Sequence, residues 1–256
     1  SLQGLALDLP APLNKPADTS LPLRFELAPL PGASAQDQLS VAIGRVASLT
    51  YVRDTRAAQP RVLRGAIGVG LAPGESAPLP ERGVLANINL AALNVDAWET
   101  ALQDLVAPGP VAPPPGAAAS RAGDAAAAQG YLPTQMAVRA RALTLQGRTL
   151  HEVVVGGSRD GLTWRANVDA TELNGYVEYR QPAGSGAGRL IARLARLSIA
   201  DASASEVESL LDAQPSSIPA LDVVVDDFEL RGRQLGRLEI DAVNRGAVGG
   251  TPPEWR

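Results

Sequence analysis

One six-residue pattern, L-x-G-R-x-L, occurs twice in this chain and constrains its fold more than any other feature. The two copies cover residues 145–150 and 230–235. Each follows a run of alternating apolar residues, and alternation with a period of two is typical of half-buried β-strands. A Gly between two such runs indicates a tight hairpin. A chain that repeats a strand-turn-strand unit is expected to build one extended sheet.

The apolar runs share the spacing h-x-h-x-h-x-x-h-x-h, where h is an apolar residue. In each run, two neighbouring apolar positions are three residues apart instead of two. If the residues before and after this step face the same core, the strand must contain one extra residue at that point, which predicts a β-bulge and a local bend. Two separate strands meeting at a break would give the same pattern. The four runs are Ala86, Ile88, Leu90, Leu93 and Val95; Met136, Val138, Ala140, Leu143 and Leu145; Leu190, Ala192, Leu194, Leu197 and Ile199; and Leu221, Val223, Val225, Phe228 and Leu230.

The runs alternate with short amphipathic segments and turns. The first and third runs lead into predicted helices, around Trp98, Leu102 and Leu105 and around Val207, Leu210 and Leu211, with Asp96 and Ser203 or Ser205 as N-caps. Residues 39–52 are predicted to form a single strand. Turns are predicted at Gly147-Arg148, Gly156-Gly157, Asp160-Gly161, Asn174-Gly175 and Gly232-Arg233.

These elements predict a mainly β protein with an extended, curved antiparallel sheet, an apolar groove and two short helices. We predict one β-groove module over residues 1–106, a disordered Pro/Ala/Gly-rich insertion over 107–130 and a second module over 131–256. The chain neither begins with Met nor ends at a natural break in the repeat. It is therefore interpreted as part of a longer protein.

The predicted strands carry aliphatic residues on one face and polar residues on the other. Either two sheets close on each other as a sandwich, or one curved sheet leaves an apolar trough. The sequence leaves both open. The polar residues are Arg139, Arg141, Asn87, Asn89, Asp222, Asp226, Arg193 and Arg196.

Composition excludes several classes of protein. The chain has 45% apolar residues but only 4% aromatic ones. It contains no Cys, so it has neither disulfides nor thiolate metal sites. A net charge of −4 argues against general nucleic-acid binding. No apolar run reaches the roughly 18–20 residues of a membrane helix.

Few residues suggest catalysis, and we predict no catalytic residue, metal site or cofactor. His151 is the only histidine and has no Ser or carboxylate pattern nearby. Asp226, Asp227 and Glu229 are interpreted as solvated residues at the bulge, paired with Arg231 or Arg233. Consecutive carboxylates on a strand point to opposite faces, so these do not converge on a metal.

The remaining motifs favour structural roles. Two glycine-rich segments, residues 65–70 and 184–188, lack the Lys-Ser/Thr and βαβ context of a phosphate loop. The solvent-exposed face of one strand is predicted to contain Arg189, Arg193 and Arg196. The alternative is that these arginines bind a lipid head group or another anionic partner. The three tryptophans, Trp98, Trp164 and Trp255, are interpreted as core residues rather than exposed stacking rings.

The stretch from residue 218 to 238, IPALDVVVDDFELRGRQLGRL, resembles the YhdP family of AsmA-like proteins. Residues 173–180 with 190–194, and the L-x-h-D-x-W pattern at 93–98, are similar to the same family. The resemblance covers most of the chain outside residues 108–130. It is specific in the C-terminal third and looser before Gly83.

The resemblance implies a long, non-enzymatic envelope protein of Gram-negative bacteria, anchored in the inner membrane and crossing the periplasm. It also implies phospholipid transport between the two membranes through β-groove modules. The expected partners are phospholipid acyl chains and adjacent modules of the parent chain, with no nucleic acid. The alternative is a structural or adhesive β-sandwich spacer; a carbohydrate-active enzyme would need converging carboxylates. The groove candidates are Val138, Ala140, Leu143, Leu145, Leu190, Ala192, Leu194, Val223, Val225, Phe228 and Leu230.

Overall fold

The computed structural model describes residue 4 and residues 6–106, 130–182, 188–199 and 219–242. The protein is mainly β, as predicted, and divides into two compact units, Ser1–Thr149 and Leu150–Arg256. The predicted insertion at 107–130 lies almost wholly outside the described residues. The module boundaries taken from the repeats therefore stay a prediction.

In its described residues, unit 1 consists of a sheet whose strands lie in chain order, together with one helix. Strands β1 to β4 pair antiparallel, whereas β4 with β5 and β5 with β6 pair parallel. The elements are β1 (Leu23–Pro29), β2 (Gln36–Ile43), β3 (Ala47–Asp54), β4 (Arg61–Val69), β5 (Gly83–Asn94), α1 (Val95–Val106) and β6 (Gln135–Leu145).

Unit 2 repeats this plan without a described helix. Its strands again lie in chain order and pair antiparallel, except that β10 and β11 are parallel. The strands are β7 (Arg148–Asp160), β8 (Thr163–Asp169), β9 (Leu173–Arg180), β10 (Arg189–Ile199), β11 (Ala220–Leu230) and β12 (Arg233–Ala242).

Three strand pairs are parallel within a sheet that is otherwise antiparallel, as predicted. Only short turns force neighbouring strands to be antiparallel, whereas a longer connection can return the chain to the starting end of the sheet. Each parallel pair is joined by such a connection, and the one between β5 and β6 contains α1. The helix around Trp98 is thereby confirmed. The second predicted helix and its Ser203 or Ser205 cap lie outside the described residues.

Three local predictions were wrong. Residues 39–52 form two strands, β2 and β3, separated by a turn that begins at Gly44 with φ of 55°. Ile43 and Ala47 both face inward and are separated by an even number of positions along the sequence. The alternation of inward and outward residues therefore continues from β2 through the turn into β3 without a shift. Gly156-Gly157 and Asn174-Gly175 are not turns but lie within β7 and β9.

Both L-x-G-R-x-L copies form two-residue hairpin turns, one residue earlier than predicted. The turn residues Gln146 and Gly147 have φ of 51° and 72°, and Arg231 and Gly232 have φ of 54° and 69°. Two successive positive φ angles are the mark of a type I′ turn, whose twist matches that of antiparallel strands. The Gly supplies this conformation at low cost in both copies.

The four bulged runs pair two by two, in parallel and in register. In unit 2, Leu190, Ala192, Leu194, Leu197 and Ile199 lie opposite Leu221, Val223, Val225, Phe228 and Leu230. In unit 1, Ala86, Ile88, Leu90 and Leu93 lie opposite Met136, Val138, Ala140 and Leu143.

The predicted bulges are confirmed in unit 2. The register shifts between Leu194 and Arg196 against β9, and between Val225 and Phe228 against β12. The two bulges lie side by side at one level of the sheet. Bulges bend and twist strands, so this arrangement concentrates curvature there.

Candidate functional site

The inner face of unit 2 is the side of its sheet on which the apolar residues of the bulged runs lie. Residues directly opposite one another in a sheet share a face, so the pairing extends this surface across all six strands. Two complete rows contain no polar side chain. They are Val155, Val168, Gly175, Leu194, Val225 and Leu238; and Gly157, Ala166, Val177, Ala192, Val223 and Ile240.

A buried cluster lies at the centre of this inner face. Its members are Ala192, Leu194, Val225 and Phe228, and Val225 has no exposed surface. The partly buried apolar residues that pack against it are Leu173, Val177, Leu197, Ile199, Val223, Leu230 and Leu238. All of these belong to β9–β12, and every described strand of unit 2 belongs to the same sheet. In the described part of the unit, burial at this cluster therefore comes from neighbours within one bent sheet.

The inner face of unit 1 has the same character. Its apolar rows also cross the sheet from β1 towards β6. They are Leu23, Ile43, Ala47, Val69, Ile88 and Val138; Phe25, Val41, Leu49, Ile67, Ala86 and Met136; and Leu27, Leu39, Tyr51, Gly65 and Val84. Exposure rises towards β1, where Phe25 is 65% exposed.

The outer face of unit 2 carries ion pairs. Asp222 binds Arg189 at 3.4 Å and Arg193 at 2.8 Å. The arginines predicted on the wet face are exposed, and Arg196 donates to the backbone oxygen of Ala170 instead of binding a carboxylate. An anionic partner for these arginines stays a prediction, since two of the three already hold Asp222.

Glu178 is a nearly buried carboxylate at the centre of the outer face. It accepts hydrogen bonds from Arg180 at 2.6 Å, from the Tyr176 hydroxyl at 2.8 Å and from Arg165 at 3.2 Å. These donors, the Arg180 bond first, hold the pKa of Glu178 below its usual value. Glu178 and its three donors thus satisfy one another's hydrogen-bonding groups on the outer face.

Each inner face becomes aromatic and polar at the end where its parallel bulged strands begin. In unit 1, Tyr51 packs edge-on against Tyr131 with ring centroids 5.0 Å apart, and burial raises the pKa of Tyr51 to about 12. Arg53 binds Asp37 through two bonds of 2.8 and 2.7 Å, which lower the pKa of Asp37. In unit 2, Arg159 lies over the ring of Trp164.

The structure places the predicted groove residues on these inner faces. Val138, Ala140 and Leu143 are buried in unit 1, whereas Leu145 at the hairpin is 44% exposed. In unit 2, Ala192, Leu194, Val225 and Phe228 form the buried cluster, and Leu190, Val223 and Leu230 lie beside it in the paired runs. That these residues bind lipid stays a prediction.

The polar candidates have partners that the sequence did not reveal. His151 Nδ1 lies 2.5 Å from Glu172, whose second oxygen accepts the His151 backbone N–H at 2.8 Å. The Glu172 carboxylate lies in the turn between β8 and β9, far from His151 in the sequence, so no local sequence pattern predicted this contact. Asp226 pairs with Arg237 at 3.3 Å. A pairing of the bulge carboxylates with Arg231 or Arg233 stays a prediction. Among the described residues no acidic or histidine cluster could hold a metal ion.

Asp96 has a different role from the predicted helix cap. Asn94 caps α1, because its Oδ1 accepts the N–H of Ala97 at 2.9 Å. Asp96 reaches across to the first hairpin, where its two oxygens accept the N–H groups of Gln146 at 2.6 Å and Gly147 at 2.8 Å. This carboxylate links the helix to the L-x-G-R-x-L turn of unit 1.

Comparison of the sequence with known protein families identifies the family of this chain. A family model described as YhdP protein matches residues 1–248. The chain belongs to the YhdP family. The resemblance noted in the sequence is thereby confirmed, and it extends to the N-terminal residues. Searches of curated proteins and of solved structures returned no match for this YhdP family member. None of its described helices has the length and apolar character to span a membrane.

Proposed function

We propose that this chain is a non-enzymatic segment of an AsmA-like envelope protein that conducts phospholipid between the inner and outer membranes. Its place would be the periplasm, with membrane attachment through other parts of the parent protein. Acyl chains would lie on the inner faces, and adjacent modules of the parent chain would continue the apolar surface. The observation that carries the proposal is the set of apolar rows that cross the described strands of each unit.

The chemistry of these rows suits acyl chains. Burial of each methylene contributes about 0.8 kcal/mol without requiring a directional contact. A conduit must hold lipid without fixing it at one position, which favours a smooth aliphatic floor. The rows of unit 2 offer Val, Leu, Ala, Ile and Gly, whereas the outer face is charged and internally paired.

The inner faces also offer apolar surface that is not yet buried. Phe25 on β1 is 65% exposed and Ile240 on β12 is 38% exposed, and both belong to the apolar rows. Exposed apolar surface on a continuous face is typical of binding sites for lipid or for another protein surface. A closed sandwich spacer would instead need this surface covered by a second sheet.

A pair of matched variants tests the proposal. Ile240→Glu places a charge on the inner face at a 38% exposed site, and Val154→Glu places the same charge on the outer face at a 45% exposed site. The purified chain is mixed with vesicles that contain a phospholipid with a photoactivatable acyl chain, irradiated and mapped by mass spectrometry. Unfolding of each variant is monitored by circular dichroism.

We expect wild type and Val154→Glu to be labelled equally and on inner-face residues. Ile240→Glu should lose at least about fivefold of the labelling, since a carboxylate cannot be desolvated against a hydrocarbon chain without cost. Both variants should remain folded because both sites are partly exposed. Absence of acyl adducts on the wild type, or adducts mainly on the outer face, would refute the proposal and favour the spacer.

A further inference from the structure

The inner face of unit 2 changes along its strands from aliphatic to aromatic and cationic. Two rows nearer the bulge are wholly apolar. The next row towards the start of β10 contains Arg159 on β7, Trp164 on β8 and Tyr179 on β9, followed by Leu190 and Leu221. Alternation in β7 supports this assignment, because Val153, Val155, Gly157 and Arg159 are less exposed than the residues between them.

Arg159 differs from the arginines of the outer face in its surroundings. Its guanidinium carbon lies 5.5 Å from the centroid of the Trp164 ring. No carboxylate of the described residues lies within ion-pair distance of it, whereas Arg165, Arg193 and Arg237 each hold an acid. Stacking on Trp164 holds the guanidinium in place without neutralising its charge.

We propose that Arg159, positioned by Trp164, binds the phosphate of a glycerophospholipid whose acyl chains lie on the aliphatic rows of unit 2. This inference rests on the proposed function and adds a head-group site to it. A planar guanidinium matches phosphate oxygens through two parallel hydrogen bonds. The indole lies in the same row as that charge and borders the aliphatic rows, and tryptophans likewise combine an apolar ring with polar surroundings at membrane interfaces.

The dimensions of the inner face fit this orientation. From Ala192 to Ile199 the strand makes seven steps of about 3.3 Å, which span about 23 Å, or about 20 Å when one residue is taken up by the bulge. The acyl chains of one leaflet span about 15 Å, half of a hydrocarbon core of about 30 Å. Because the apolar rows run without a break from β7 to β10, a lipid whose phosphate lies near Arg159 can place its acyl chains on apolar surface across these rows.

The experiment compares two photoactivatable lipids with the same acyl chains, a phosphatidylglycerol and a diacylglycerol that lacks the phosphate. The proteins are the wild-type chain, Arg159→Gln, Arg159→Lys and the control Arg237→Gln. Arg237 is also an arginine, but it lies on the outer face and is 61% exposed. Inorganic phosphate is added as a competitor in a separate series, and folding is checked by circular dichroism.

We expect Arg159→Gln to reduce phosphatidylglycerol labelling about fivefold and to leave diacylglycerol labelling unchanged. Arg159→Lys should fall between, because an ammonium keeps the charge but loses the planar fork. Arg237→Gln should behave as wild type with both lipids.

The other outcomes separate the two proposals. If Arg159→Gln is labelled like wild type by both lipids, the head-group site is wrong while acyl binding stands. If neither lipid labels the wild type, the proposed function itself fails. If millimolar inorganic phosphate displaces phosphatidylglycerol but leaves diacylglycerol bound, Arg159 binds phosphate. If inorganic phosphate binds as tightly as the lipid does, the site is one for free phosphate, which overturns the assignment to lipid.

Discussion

Removal of the Asp96 carboxylate should loosen the first hairpin and leave the second unchanged. In the native structure the turn amides of Gln146 and Gly147 donate to Asp96 at 2.6 and 2.8 Å. The corresponding amide of the second turn, on Arg231, donates instead to the backbone oxygen of Ile199 at 2.9 Å. The variant Asp96→Ala removes the acceptor from one hairpin only, so the second hairpin is an internal control.

The magnitude follows from the geometry of these bonds. A hydrogen bond to a charged group contributes about 1.5–3 kcal/mol, but both bonds here are exposed and water can replace the lost acceptor. We therefore expect local opening of the hairpin to become easier by about 1–2 kcal/mol in total, a factor of about 5–30 in the opening equilibrium. Asp96→Asn keeps one carbonyl oxygen and should lose about half of this free energy.

Amide hydrogen exchange followed by NMR measures this effect at single residues, without assuming that the whole chain unfolds in one step. In Asp96→Ala, exchange at Gln146 and Gly147 should accelerate by about 5- to 30-fold, corresponding to about 1–2 kcal/mol. Exchange at Arg231 should not change. Acceleration below twofold at the first turn, or equal acceleration at both turns, would refute the assigned role of Asp96.

Two further predictions concern the backbone and pH. Gly175 has φ of 149° and a Cβ there would collide with the backbone oxygen of Arg193, so Gly175→Ala should lower the free energy of unfolding by about 1–3 kcal/mol. Gly156→Ala, where the Cβ meets open space, should change it by less than about 0.5 kcal/mol in the same urea titration. The lowered pKa of Glu178 means that its ionised form stabilises the folded state above the unfolded pKa, near 4.5. This stability should be lost as pH falls through the folded pKa, so wild type should weaken below about pH 4.5 more steeply than Glu178→Gln. Equal slopes in acid-dependent melting would contradict this.

Much of the fold could be read from local pattern. The apolar runs from Met136 to Leu145 and from Leu190 to Ile199 lie within β6 and β10 and end where these strands end, because each run is followed by a turn or loop. The turn at Gly44 was missed because the alternation of inward and outward residues is the same in the strands before and after it. Gly156 and Gly175 were wrongly read as turns, since a Gly inside a strand looks the same in sequence as a Gly that ends one.

Part of the candidate site could also be predicted from local alternation of apolar and polar residues. The inward positions of β10 and β11 followed from alternation, which needs no knowledge of partners. The contact of Arg159 with Trp164 crosses the β7–β8 hairpin, so the predicted Asp160-Gly161 turn was the signal that could have found it. The Glu172 partner of His151 and the Arg237 partner of Asp226 had no such signal, because pairing between strands sets them.

The repeated hairpin pattern, the bulge spacing and the family followed from the sequence alone, because each depends on residues close together along the chain. Only the tertiary structure decided that the four bulged runs pair in parallel and in register, so that their apolar residues form continuous rows. It also decided that Asp96 holds the first hairpin and that Arg159 has no carboxylate partner in the described part of unit 2. Register and partner choice depend on which distant strands meet, and a local sequence pattern does not encode that choice.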